Sequence, residues 1–175
     1  MSKSVFGIAT TQGKAEQIVQ RLQAQGFATS EISVLMPDTA GTRDLGHVKA
    51  TKAPEGATTG AAAGGVAGGV LGLLAGVGAL AIPGLGPFIA AGPIMAALSG
   101  AAVGGTTGGV VGGLVGLGIP EIEAKRYNDK LKKGNYLIAV HADESDDVDR
   151  AKDIFKTAGA EDISTVSEAS VSKAV

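Results

Sequence analysis

Between Glu55 and Glu121 the chain carries no charged residue, and 21 of its 28 glycines fall in that stretch. Its 15 Lys and Arg and 17 Asp and Glu are confined to the flanks. A flexible linker of this length would be rich in Ser and charge rather than Val, Leu and Ile. The stretch therefore reads as an element that avoids water, set between two halves of an ordinary charged domain.

The glycines are spaced. One row occupies Gly60, Gly64, Gly68, Gly72 and Gly76, with Gly56 ahead of it, and a second occupies Gly100, Gly104, Gly108, Gly112 and Gly116. Partial rows accompany them: Gly65 and Gly69 beside the first, Gly105, Gly109 and Gly113 beside the second. Between the rows, Ile82 to Pro93 holds three prolines and reads as a turn. The spacing predicts two helices, 57–81 and 94–118, folded back on each other. Each interior glycine costs a helix about 1 kcal/mol relative to alanine. Such helices need close neighbours, and GxxxG rows let backbones approach. A row repeating every four residues also winds around a helix of 3.6 residues per turn, which suits more than one neighbour and predicts a homo-oligomer.

The flanks read as two βαβ halves. Residues 1–50 hold a strand at Val5–Thr10, a helix from Gly13 to Gln25 with Ala15, Ile18, Val19 and Leu22 on one face, and a strand at Glu31–Met36. Residues 120–168 hold a helix opened by Pro120 and stopped by Gly134, a strand at Tyr136–His141, a helix at Asp146–Ala158 and a strand at Asp162–Val166. Residues 169–175 form a tail. The expected fold is α+β: a ferredoxin-like α/β sandwich whose second and third strands are separated by the inserted glycine-zipper hairpin, residues 56–119.

Chemistry is hard to find. A net charge of −2 gives no general attraction for nucleic acid. With no cysteine there is no thiolate site or nucleophile. No phosphate-loop pattern occurs, and chance GxGxxG matches carry little in so glycine-rich a chain. His47 and His141 read as solvated or strand-end histidines, and the acidic run Asp143–Asp149 lacks EF-hand spacing. No catalytic, cofactor or metal residues and no small-molecule substrate are expected. A small-molecule or ion sensor built on the sandwich has no pocket residues to support it.

The N-terminus does not read as a signal peptide. Lys49 and Lys52 precede the insert, and Lys125, Arg126, Lys130, Lys132 and Lys133 follow it. If the insert enters a bilayer, both ends lie on the cytoplasmic side, and the five later bases are candidates for contact with anionic lipid headgroups. The alternative is a soluble shell or filament that buries the hairpins in a shared interior.

Val5-Phe-Gly-Ile, Gly-Phe27 and Ile32-Ser-Val-Leu, with Gly118-Ile-Pro-Glu-Ile-Glu-Ala-Lys-Arg-Tyr-Asn-Asp-Lys-Leu-Lys-Lys-Gly134, resemble bacterial general stress proteins of the YflT (heat-induced stress protein) kind. The intervening segment is similar to the glycine-zipper hairpins of small bacterial membrane-associated proteins. The resemblance spans roughly residues 4–166. It implies a non-enzymatic, stress-linked envelope or assembly protein, and it brings no catalytic residues.

Overall fold

The computed structural model describes residues 3–37, 78–82, 86–95, 98 and 109–167. The protein is mixed α+β. Its strands are β1 (Lys3–Ala9), β2 (Ile32–Pro37), β3 (Gly78–Ile82), β4 (Gly86–Ala91), β5 (Tyr136–Ala142) and β6 (Glu161–Ser167). Its helices are α1 (Gln12–Ala24), α2 (Gly109–Gly116), α3 (Glu121–Lys132) and α4 (Ser145–Thr157), with a 3₁₀ turn at Thr29–Glu31. The strands form one sheet in the order β3-β4-β2-β5-β1-β6, with every neighbouring pair antiparallel.

The middle of the sheet is buried on both faces. In β1, Val5 and Ala9 point to one face and Phe6 and Ile8 to the other, and all four are almost fully buried. β5 divides in the same way, Ile138 and Val140 against Leu137 and Ala139. This is why these strands read as unbroken apolar runs instead of alternating. α1 and α4 cover the first face with Ala15, Ile18, Val19, Leu22, Val148, Ala151, Ile154 and Phe155. The spacing of those residues predicted both helices. α4 lies directly on the backbone of Gly7, where an added Cβ would stand 2.4 Å from the Phe155 ring.

The second face is covered by α3 through Ala124, Tyr127 and Leu131, by α2 through Val110 and Leu114, and by Met95 and Leu98. Four of these residues, Met95, Leu98, Val110 and Leu114, come from the uncharged stretch. Part of that stretch thus finds its apolar cover on the chain's own sheet.

The expected helical hairpin needs correction here. Residues 78–81 are strand β3, where the end of a first helix was expected. Residues 86–91, expected in the turn, are strand β4, which pairs with β2 from Val34↔Ala91 to Pro37↔Phe88. The physical reason is the free edge of β2: an apolar strand end gains ladder hydrogen bonds from the first extended segment able to reach it. Of the expected helix 94–118, residues 94, 95, 98 and 109–116 are helical, and residues 117 and 118 form the turn that ends it. Residues 57–77, 96–97 and 99–108 of the two expected helices, residues 38–50 with His47, and the tail 169–175 lie outside the described residues.

Two local devices place these covering segments. Gly92 turns the chain from β4 onto the second face with φ +91, and an added Cβ there would meet the Ile32 carbonyl at 2.3 Å. Just beyond it the Ile94 N–H, one of the donors a helix start leaves unpaired, donates to Oγ of the fully buried Ser33 at 3.0 Å. At the other end α2 stops at Gly118, φ +95. The Gly118 N–H donates to Val115 O at 2.9 Å and the Ile119 N–H to Leu114 O at 3.0 Å. Ile119 is thereby buried, and Pro120 begins α3 in extended geometry. The Gly-Ile-Pro-Glu run at 118–121 is the chemistry of this helix-to-helix corner.

These contacts predict opposite signs for two glycine-to-alanine changes. Gly92→Ala meets both a left-handed φ and a backbone oxygen, and should cost about 2 kcal/mol or more. Gly13→Ala, in helix α1 with open space around the new Cβ, should be neutral or stabilising by up to about 1 kcal/mol. Chemical denaturation of the two variants checks the contrast.

Candidate functional site

Helix α3 is amphipathic, with Ala124, Tyr127 and Leu131 inward. Tyr127, 1% exposed, reaches across to β6 at a bulge. Phe6 pairs with Ser164 but Ile8 with Glu161, so β6 carries one residue too many, and Asp162 takes a left-handed φ of +49. Asp is one of the few side chains that tolerate that region. Tyr127 Oη donates to the Asp162 carbonyl at 2.6 Å, and the Ser164 hydroxyl, 2.8 Å away, can donate to Oη in turn. Above this pair Arg126 Nη1 lies 3.2 Å from Asp162 Oδ1. Lys130 Nζ pairs with Glu161 and lies 3.4 Å from Asp162 Oδ2, a buried atom without a hydrogen bond. Glu161 beside Lys130 holds its ammonium pKa above the usual value.

Three of the five bases expected at a lipid surface therefore have intramolecular partners: Lys125 with Glu121 at 2.6 Å, Arg126 with Asp162, and Lys130 with Glu161 and Asp162. Lys125 holds the exposed Glu121 carboxyl below its ordinary range. The Lys125–Glu121 pair is largely solvent-exposed and weak, whereas the Lys130 and Asp162 side chains are mostly covered. Lys132 and Lys133 are exposed at the end of α3.

Of the glycine-row residues, Gly112 and Gly116 lie on α2, whereas Gly60, Gly64, Gly68, Gly72, Gly76, Gly100, Gly104 and Gly108 lie outside the described residues. Within α2 the rows separate. Gly113 is buried with Val110 and Leu114 on the side that meets the core, and α2 packs against α3. Gly112 is half-buried, and Gly116 is exposed with no atom within 4 Å of where a Cβ would stand. Beside Gly116, Val115 is 42% exposed, and one turn into α3 Ile122 is 76% exposed. Together with exposed Pro120 these make an apolar corner at the α2–α3 junction, followed directly by Lys125 and Arg126.

Among the described residues no three of His, Asp and Glu gather as metal ligands. His141 Nε2 lies 3.1 Å from Asp143 Oδ1 at the end of β5. No helix among the described residues is long and apolar enough to cross a membrane. Compared with protein-family models, curated proteins and solved structures, the chain matches none.

The apolar corner and the Tyr127 clamp were both missing from the sequence reading. The Ala124/Tyr127/Leu131 spacing marks Tyr127 as inward-facing, but nothing local signals the bulge it binds. The isolated apolar position of Ile122, on the charged side of α3, was the available sign of the corner.

Burial pushes the Tyr127 hydroxyl pKa up from 10.0 to about 12. Below pH 10 it is neutral in the folded and the unfolded chain, and its contribution is complete. From pH 10 to about 12 only the unfolded chain ionises, so stability should fall across that window by about 2–3 kcal/mol. Tyr136, half-buried on the other face, is raised in the same direction, also by burial. Tyr127→Phe should cost about 1 kcal/mol at neutral pH and remove most of this alkaline loss, as measured by denaturation at pH 7 to 11.5.

Proposed function

We propose that this is a non-enzymatic, stress-linked structural protein that associates with membranes on their cytoplasmic side and self-associates through its glycine rows. The observation that carries the reading is the α2–α3 corner. Apolar Val115, Pro120 and Ile122 stand out from the surface, the exposed Gly116 lies beside them, and basic residues follow within one turn. An apolar tip with a basic shoulder suits the boundary between acyl chains and anionic headgroups. The open space at Gly116 suits close approach of a neighbouring helix. The resemblance of the flanks to general stress proteins supplies the link to stress.

We also read the strands β2, β5, β1 and β6 with α1 and α4 as a ferredoxin-like unit. Their order, with β1 and β5, the first and third strands of this unit, side by side at the centre, supports this. In that reading β3 and β4 extend the sheet beyond β2.

A soluble assembly remains the second reading, favoured by one observation. Met95, Leu98, Val110 and Leu114 from the uncharged stretch are buried on the chain's own sheet, a cover that requires no lipid. Fractionation separates the two. Membrane association predicts sedimentation with membranes and resistance to salt washing. Discrete particles in the detergent-free supernatant, seen by electron microscopy, would support the assembly instead.

Two substitutions test the corner itself. Ile122→Asp, at an exposed position, should leave thermal stability within about 0.5 kcal/mol and reduce flotation with anionic vesicles several-fold. Gly116→Leu should leave the fold intact, since the space around Gly116 is open, and lower the oligomeric mass measured by light scattering. Unchanged flotation and mass in both would refute the role given to the corner.

A further inference from the structure

We propose that two copies of the chain pair edge to edge through β3, antiparallel about a two-fold axis at Leu80, to make one continuous sheet. This rests on the two ends of the sheet and depends neither on the glycine rows nor on a bilayer.

The two edges are built differently. At the β6 edge the strand bulges between the residues facing Phe6 and Ile8, Asp162 adopts a left-handed φ, and Glu161 and Asp162 carry charge. A bulge and charged residues are the devices by which natural sheets stop a further strand from adding. At the opposite edge β3 runs in unbroken register with β4, from Gly78↔Ala90 to Ile82↔Gly86. Its sequence Gly-Ala-Leu-Ala-Ile has no charge, no proline and no bulge. Among the described residues β3 pairs with β4 alone. Among the described residues one edge is guarded and the other carries no further strand.

The occupant that fits is a second β3. In an antiparallel pair centred on Leu80, Leu80 faces Leu80, Ala79 faces Ala81, and Gly78 faces Ile82. The largest end residue meets the smallest, and the small residues meet each other, so the strand is complementary to itself. A two-fold contact sets each residue of the strand against a residue of the same strand in the partner, so any charge on it would meet like charge close by. The sequence from residue 56 to residue 120 has none to offer.

Because the chain has no cysteine, single introduced thiols report the contact without background. The full-length Leu80→Cys chain, treated with a short bis-maleimide, should convert mainly to covalent dimer. Ser167→Cys, at the guarded edge, should convert at least tenfold more slowly. Leu80→Lys, which opposes two ammonium groups across the axis, should halve the particle mass in light scattering while circular dichroism is unchanged. The Leu80→Cys dimer should persist in a Gly116→Leu background, which separates this contact from association through the glycine rows. If Leu80→Cys stays monomeric under the reagent, or Ser167→Cys reacts as fast, the edge pairing is overturned. That test holds even if the lysine variant does not fold.

Discussion

The central strands of this sheet are apolar on both faces, and the described elements are arranged around covering them. Burying strands such as β1 and β5 on two sides is favourable only if two separate apolar layers exist. The first is conventional: α1 and α4, each the crossover of a βαβ half. The second is assembled from pieces, with α3 bringing three side chains and α2, Met95 and Leu98 the remainder. Those last pieces belong to the uncharged stretch, so the segment that most avoids water is partly integral to the domain. The buried hydroxyl of Ser33 shows the same dependence from the polar side, because it receives the N–H of Ile94 as the chain crosses onto that face.

Closure of the second face also fixes what remains outside. α2 presents Val110, Gly113 and Leu114 inward, so Val115 and Gly116 must point away from the sheet. α3 is anchored by Tyr127 on the β6 bulge and packs against α2, and Ile122 is left exposed. An exposed apolar corner held by two packed helices is a rigid feature. That rigidity favours its use as a contact surface, because little conformational entropy is lost when a partner docks. The two sheet edges differ in the same way: the Asp162 bulge closes one, while the even register of β3 leaves the other regular.

Much of the fold was legible locally. Ala15/Ile18/Val19/Leu22 and Val148/Ala151/Ile154/Phe155 mark helices by their spacing, and Gly26, Gly134 and Gly159 mark their ends. The Thr11 side chain, which accepts from the Lys14 N–H at 3.3 Å, starts α1 one residue earlier than the Gly13 reading. The stretch from Gly78 to Ala91 misled because its glycine, alanine and leucine fit a continuation of the preceding helical row. A fully apolar run offers no alternation by which to recognise a strand. The three prolines read as a turn, but Pro87 lies within strand β4. The site was less legible. Asp162 lies in an ordinary strand sequence, and its role arises from the register shift between β1 and β6 around Gly7, which neither strand reveals alone.

From residue order alone came the division into charged flanks and an uncharged core segment, the βαβ halves, and the helix stops. Each of these follows from forces acting within a few residues: periodic burial, capping and the conformational range of glycine. The fold as a whole decided where the described parts of the uncharged segment go, which glycine of α2 turns inward, and which apolar side chains stay exposed. Those outcomes depend on which surfaces meet across long separations in the chain, and a surface that needs cover can recruit it from any segment able to reach.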